Sequence, residues 1–406
     1  MILRVVTLNC WALPQPWPIG SKHRKFRLEK LVEALNETIY DVVSLQEIWS
    51  EADYQFISKS LEANYPHSHY FHSGFTGSGV CVISRHPIVS TLMHRYSLNG
   101  FAHHVHRGDW FGGKVVGMVL LSVRDVYISF YTTHLHAEYD RKNDLFLPHR
   151  LSQALELSQF VKHTSAMSHC AILTGDFNIE PEDLGYRLIV NNGNLKDSWL
   201  ERPDADKRSG MTCDRPDNCF TPKYVLKEAP EGKRLDYIMF KSGKAHIELT
   251  ECDNTLGKIP DSTIDYSDHL GVHSVFNIVK DDSGSSPTCV DWKTENLERS
   301  DEILHDAVDI LEGGELRALW DRRLYLAVCV ILIAMIIATI VFEVHFSSSY
   351  FTAFATIGRF FLTLVFGFCL WYGIIGLTME LKALKAAKIS MQKLLNEAPS
   401  SALTDG

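Results

Sequence analysis

The sequence predicts a layered α/β domain over roughly its first 280 residues, followed by a pair of helices able to span a membrane. Two observations carry this. Apolar, strand-like runs alternate with amphipathic helical patterns as far as Lys280, which is how a sheet covered by helices reads. Beyond them lie nineteen residues without a charge, Leu324 to Phe342, and twenty more, Phe360 to Met379. At 1.5 Å per residue the first run covers roughly 28 Å, close to the hydrocarbon thickness of a bilayer.

In chain order, the elements begin with "ILRVVTLNCW" as a strand, a helix near Phe26 to Thr38, "DVVSLQEIW" as a strand and a helix near Glu51 to Ala63. The strands "GVCVISRHPI", "KVVGMVLLSV" and "VYISFYTTHLH" follow, then a helix from about Leu147 to His163, and the strands "CAILTGDFNI", "RLDYIMF" and "GVHSVFNIV". No internal repeat interrupts the series. Residues 281–293 have linker composition around "DDSGSSPT". Residues 294–320 read as an acidic amphipathic spacer helix, with Leu297, Leu304, Val308 and Leu311 near one face and eight acids against Arg299 and Arg317. A two-helix hairpin over 321–382 and a tail over 383–406 complete the division.

Charge sets the expected topology. Met1 leads straight into strand-like sequence, with no basic stretch and apolar core of a signal peptide. Arg322 and Arg323 precede the first span, Lys382, Lys385 and Lys388 follow the second, and the polar connection around His345 to Tyr350 has neither Lys nor Arg. This predicts an integral multi-pass membrane protein with both ends and the large domain in the cytosol, in the endoplasmic reticulum or the cell membrane. Arg359 is placed to snorkel to the interface. Nine cysteines, an odd number without a Cys-x-x-Cys, suggest reduced thiols rather than disulfides or zinc. A net charge of −9 argues against sequence-blind nucleic-acid binding.

Several strands end in isolated polar groups. Asn9 follows "VVTL", Gln46 and Glu47 follow "VVSL", His134 and His136 follow "FYTT", Asp176 and Asn178 follow "AILTG", Asp236 interrupts "RLDYIM", and Asp268 and His269 precede "LGVHSVF". Burying such groups without partners is costly, so six positions together are expected to partner one another. Oxygen-rich donors suit Mg²⁺ or Mn²⁺, which combine a few carboxylates with water and phosphate, and histidine moves protons near neutral pH. Metal, phosphate and proton transfer together describe phosphodiester hydrolysis. Two apart in a strand, His134 and His136 should face one side, whereas the adjacent Asp268 and His269 belong on a loop or strand end.

At this point the sequence resembles the endonuclease/exonuclease/phosphatase superfamily with its deoxyribonuclease I-like fold. The motifs "TLNCW", "LQEIW", "SGVCVISRHPI", "THLHAEY", "GDFNIEPEDLG", "RLDYIMF" and "SDHLGV" carry the likeness over nearly the whole chain. The loop "FAHHVHRGDWFGGK" and the hairpin point to its membrane-bound neutral sphingomyelinase branch. The resemblance implies a four-layer α/β sandwich and Mg²⁺-dependent hydrolysis of sphingomyelin to ceramide and phosphocholine by residues 1–280. It implies Glu47 as main metal ligand with Asn9 beside it and Asp268 at the edge of the metal site. His269 matches the base that activates water, Asp236 the carboxylate that orients it, Asp176 and Asn178 the groups that position water and phosphate, and His134 the histidine at the phosphoryl group. His136 is a weaker candidate for substrate contact.

Trp110 and Phe111 are candidates for membrane contact; His103, His104 and His106 read as a solvated loop, and Ser84 with Arg85 as a strand end. Other substrates of the same chemistry remain open: lysophospholipids, ceramide phosphoethanolamine, phosphoinositides or nucleic acid, as does an inactive membrane scaffold. Partners are thus expected to be choline or ethanolamine phospholipids within a membrane, and not nucleic acid.

Overall fold

From Val5 to Cys10 the first strand, β1 (Ile2–Ala12), is buried without a break, as a strand covered on both faces must be. It pairs in parallel with β2 (Val42–Ile48) and antiparallel with β12 (Gly271–Lys280). With β11 (Ala245–Thr255), β4 (Cys81–Ser84) and β3 (His67–Tyr70) they make one six-stranded sheet in the order β11-β12-β1-β2-β4-β3. A second sheet runs β5 (Ile88–Arg95), β6 (Val115–Val123), β7 (Val126–His134), β8 (Cys170–Asp176), β10 (Asp236–Ser242), β9 (Lys196–Asp197), with β7 and β8 parallel. The computed structural model describes residues 1–15, 19–166, 168–203, 210–227, 229–280, 297–345 and 349–397.

The two sheets face each other. Leu3, Val5, Val42 and Val82 of the first share one core with Val119, Ile128, Phe130, Ile172 and Ile238 of the second. The outer face of the first sheet, through Val6, Leu8, Val43 and Ile83, is covered by α1 (Arg24–Glu37) and α2 (Glu51–Leu61). On the other side Tyr131 meets Phe160 of α4 (Leu147–Thr164), which buries Leu151, Leu155 and Val161. Helix, sheet, sheet, helix is the expected four-layer sandwich.

Toward one edge the filling between the sheets turns from apolar to hydroxyl. Ser44 Oγ donates to Thr132 Oγ1 at 2.8 Å, and Thr174 Oγ1 donates to Ser44 Oγ at 2.8 Å. Gln46 Nε2 donates to Ser44 Oγ at 2.9 Å and Thr7 Oγ1 at 3.1 Å. Gln46, grouped by the sequence with the chemistry-bearing positions, belongs to this buried tie. Because side chains repeat with period two along a strand, the residues two beyond Thr7, Thr132 and Thr174 point the same way: Asn9, His134 and Asp176. Ser84 and Arg85 lie at the opposite edge, where Arg85 N donates to Asp41 O and the guanidinium stands over Tyr65.

The chain divides into two compact units, Met1–Ile303 and Leu304–Gly406. Helix α7 (Leu297–His345) runs unbroken through 49 residues, so the acidic segment expected as a separate spacer is continuous with the first span. α8 (Ser349–Trp371) passes through a π-helical turn, Tyr372–Gly376, into α9 (Leu377–Glu397), and the segment expected as a tail begins as helix. Both helical stretches are long and apolar enough to cross a membrane. Lys388 Nζ bonds Glu315 at 2.7 Å, tying α9 to α7, and Arg359 pairs with Glu343 at 2.6 Å.

Gly175 adopts φ +139°, and a Cβ there would sit 2.0 Å from Thr133 O on the neighbouring strand. Gly175→Ala should therefore lower stability by at least about 2 kcal/mol, seen as a lower thermal midpoint of the full chain. An unchanged midpoint would contradict this register.

Candidate active site

The ends of β1, β2, β7 and β8 and the starts of β10 and β12 bring the site residues to the hydroxyl-filled edge. Asn9 donates through Nδ2 both to Glu47 Oε1 at 3.1 Å and to Asp176 Oδ2 at 2.9 Å, while its Oδ1 accepts from Trp11 N at 3.0 Å. Glu47 takes φ 58° at the end of β2, a left-handed turn that non-glycine residues rarely adopt, and its other oxygen accepts from Trp49 Nε1 at 3.3 Å. Asn178, also left-handed, donates its backbone N–H to Asp176 Oδ1 at 2.9 Å and its amide to Leu135 O at 3.0 Å.

Two histidines flank Asp176. His134 Nε2 lies 3.5 Å from Asp176 Oδ2, and His269 Nε2 lies 4.0 Å from the same oxygen. His269 Nδ1 bonds Asp236 Oδ2 at 2.8 Å, and the adjacent backbone is pinned by Thr212 Oγ1, which accepts from both Leu235 N and Asp236 N. Asp236 stands directly opposite Asp176 in the β8–β10 register. Asp268 and His269 do lie on a loop ahead of β12, with Asp268 Oδ1 accepting from Ser267 Oγ at 3.2 Å.

Burial governs the electrostatics. It raises the Asp176 carboxyl to about 7, with the Asp236 charge adding to it, and raises Asp268 to about 6, with Glu47 contributing. For His134 burial, then the Lys114 ammonium, push the imidazole well below its ordinary value, so it is neutral at pH 7. For His269 burial opposes the charge, yet the ring is held well above its ordinary value by Cys213 and Asp236. The Cys213 thiol is itself pushed up to about 12 by burial and is neutral near pH 7, so the Asp236 carboxylate is the effective partner.

A divalent cation fits this donor set. Asp236 Oδ1 is buried with no hydrogen-bond partner among the described residues, and Asp176 and Asp268 are carboxyls in want of positive charge. Ligand atoms of Asp176, Asp236 and His269 lie within 4.8 Å of one another, a grouping different from the expected Glu47, Asn9 and Asp268. Since His269 Nδ1 and Asp236 Oδ2 are already hydrogen-bonded to each other, that trio is a bonded pair beside Asp176 rather than a closed cage of ligands.

Two residues that sequence reasoning missed hold the site. Lys114, only 2% exposed, donates to His134 Nε2 at 2.9 Å and Leu135 O at 2.9 Å, and stands 3.4 Å from Asp109. An ammonium only donates, so Nε2 of His134 is the acceptor and the fixed positive charge here is on Lys114. Arg27 of α1, 1% exposed, donates to the carbonyls of Cys10 (2.8 Å), Trp11 (2.6 Å), Lys22 (2.9 Å) and Tyr266 (2.8 Å), and its guanidinium stands over the rings of both Trp11 and Phe220. It thereby ties the end of β1 to the segments leading to His269 and Asp236. Its one signal in the sequence is a charge one turn before Leu31 on the apolar face of α1.

His136 does not share the face of His134, because β7 ends at His134 and the chain turns. Its ring is wholly buried, stacked on Phe146 at 4.3 Å, with Nδ1 against Ala137 O at 2.8 Å and Nε2 3.7 Å from Asp109. His103 and His104 pack with Phe101, and His106 is exposed. Trp110 and Phe111 are half-buried, their short helix α3 (Asp109–Gly112) bracing the turn at Phe75 through Phe111 O.

A family model for the Endonuclease/Exonuclease/phosphatase family matches residues 6–269. The chain is 50% identical over 97% of its length to 91% of a Caenorhabditis elegans protein named "Putative neutral sphingomyelinase". It is 41% identical over 66% of its length to 62% of "Sphingomyelin phosphodiesterase 2" of Homo sapiens. Among solved structures, sphingomyelinase C from Streptomyces griseocarneus shares the fold at a TM-score of 0.50 and 18% identity, over 68% of this chain and 100% of that one.

Arg27→Met would strip four carbonyls of their donor and should destabilise the full chain by about 3 kcal/mol or more, read from its thermal midpoint. Burial holds His136 down to about 3, far below its unfolded value near 6.5, so its contribution to stability is complete above pH 6.5 and is lost as pH falls toward 3. Replacing His136 by Phe should flatten the fall of the thermal midpoint between pH 6.5 and 4.5; an equally steep fall would show the imidazole titrating normally.

Proposed function

We propose that this chain, which belongs to the Endonuclease/Exonuclease/phosphatase family, is a Mg²⁺-dependent sphingomyelin phosphodiesterase that releases phosphocholine and leaves ceramide. The observation that carries the reading is the His269–Asp236 pair facing Asp176 beside Glu47, in a chain half identical over nearly its whole length to a named neutral sphingomyelinase. The two apolar helices support a substrate held in a bilayer.

Asp236 accepts a hydrogen bond from His269 Nδ1–H, so that in the neutral imidazole, the form that acts as base, Nε2 is the nitrogen left to take a proton from water as its oxygen attacks phosphorus. The ceramide oxygen departs as the P–O bond breaks and takes up a proton from solvent water to become the alcohol, phosphocholine is released, and His269 returns its proton to solvent. Asp176, between the two histidines, orients the water. His134, held in place by the Lys114 ammonium, and Asn178 stand beside Asp176, where charge would grow on the phosphate oxygens. Glu47, Asn9 and Asp268 would hold the cation, which when bound neutralises phosphate charge and orients the group. The basic residues outside the two spans support a cytosolic catalytic unit, in the endoplasmic reticulum or the cell membrane.

His269→Ala should reduce phosphocholine release from sphingomyelin by about 10²–10⁴-fold while leaving the thermal midpoint close to that of the unchanged protein. Excess chelator should silence the unchanged protein, with Mg²⁺ restoring it. Near-normal release by the variant would remove His269 from the mechanism, and chelator-resistant turnover would remove the metal.

A further inference from the structure

The tryptophan that closes the motif "LQEIW" has no part in the chemistry described so far, yet it lies against the residue expected to hold the cation. Trp49 is half-buried, two residues beyond Glu47, and its Nε1 donates to Glu47 Oε2 at 3.3 Å. The chain turns at Glu47, φ 58°, and the indole comes back against that side chain. Glu47 Oε1 accepts from Asn9 Nδ2 at 3.1 Å, so each carboxylate oxygen has a donor from the protein.

The indole is itself wedged between two glycines from separate loops. A Cβ at Gly79, ahead of β4, would meet its ring atoms at 3.2 Å, and one at Gly112, the end of α3, would meet them at 3.1 Å. Gly79 adopts φ +76°; its N–H donates to Tyr70 Oη at 3.3 Å, and Tyr70 Oη donates to Ile48 O at 3.1 Å, which ties this loop to the backbone next to Trp49. The ring of His134 stands 6.2 Å away, centroid to centroid. Packing alone would not require an N–H at this position, since a phenyl ring would also fit between two glycines. An indole N–H is a neutral donor: it fixes the direction of a carboxylate without bringing a positive charge to compete with a cation, and each oxygen keeps a further lone pair.

From these contacts we infer that Trp49 is a positioning residue for the cation site: its N–H, braced by the slot between Gly79 and Gly112, holds the Glu47 carboxylate fixed ahead of metal binding. The inference deepens the reading of Glu47 as a cation ligand and rests on it, but its test needs neither turnover nor a lipid.

Solubilised full chain would be titrated with Mn²⁺, the free ion counted by its electron paramagnetic resonance signal, in the unchanged protein and in Trp49→Phe, Gly112→Ala and Glu47→Gln. Trp49→Phe keeps a ring in the slot and deletes the N–H; it should raise the Mn²⁺ dissociation constant about tenfold, with phosphocholine release slowed at low Mg²⁺ and recovered at saturating Mg²⁺. Gly112→Ala leaves Trp49 and Glu47 in place but presses on the indole, and should raise the constant by a smaller factor. An unchanged constant in Trp49→Phe, with Glu47→Gln weakening binding, would overturn the inference and leave Glu47 as a ligand. A lower metal-free thermal midpoint as the variant's sole effect would overturn it too, and, were Trp49→Phe unable to fold, so would an unchanged constant in Gly112→Ala. Binding indifferent to Glu47→Gln would remove Glu47 from the cation site and the inference with it. Absence of turnover in the unchanged protein, with Mn²⁺ binding weakened by Trp49→Phe as expected, would sink only the substrate reading.

Discussion

A carboxylate buried at the end of an apolar strand must be partnered, and the partnering of Asp176 fixes where the surrounding strands end. The side chain is 1% exposed and meets Asn9 from β1, Asn178 from its own turn, His134 from β7 and His269 from the loop before β12. Asp236 faces it across the ladder from β10. The hydroxyl layer of Thr7, Ser44, Thr132 and Thr174 immediately beneath gives these groups a polar floor, so that the change from apolar core to reactive crevice takes one residue pair along each strand. What remains uncompensated is negative charge, which a divalent cation would relieve.

The outline of this arrangement was legible in the sequence for a physical reason. Apolar runs that stop at Asn, Asp, Glu or His are hard to explain by turns alone, and that pattern singled out Asn9, Glu47, His134 and Asp176. Other features were hidden because they depend on where the chain turns or on what covers a side chain. His136 has the spacing of a same-face partner, but the strand ends one residue too early. Gln46 has the composition of a site residue but is consumed by the tie between the sheets. Nothing in "WFGGKVV" announces that Lys114 is buried against His134, and Arg27 reads as an ordinary helix charge until the carbonyls around it are seen. Strand β11, with exposed glutamates between its buried residues, escaped notice because an edge strand mixes polar and apolar residues.

The second unit modifies the sequence reading in a consistent direction. The acidic segment is not an independent spacer: α7 continues through it into the apolar span, and Glu315 finds Lys388 on the helix that leaves the second span. Arg359, free in principle to reach an interface, is neutralised by Glu343. In both cases the structure pairs a charge with a neighbouring helix where composition alone suggested water.

The central claim, that the cluster around Asp176 hydrolyses a choline phosphodiester of a sphingolipid, is tested most directly by head-group release from several substrates in parallel. Solubilised full chain with Mg²⁺ would be offered sphingomyelin, ceramide phosphoethanolamine, lysophosphatidylcholine and a DNA duplex. The account predicts preferential release from sphingomyelin, and cutting of DNA with sphingomyelin left intact would contradict it.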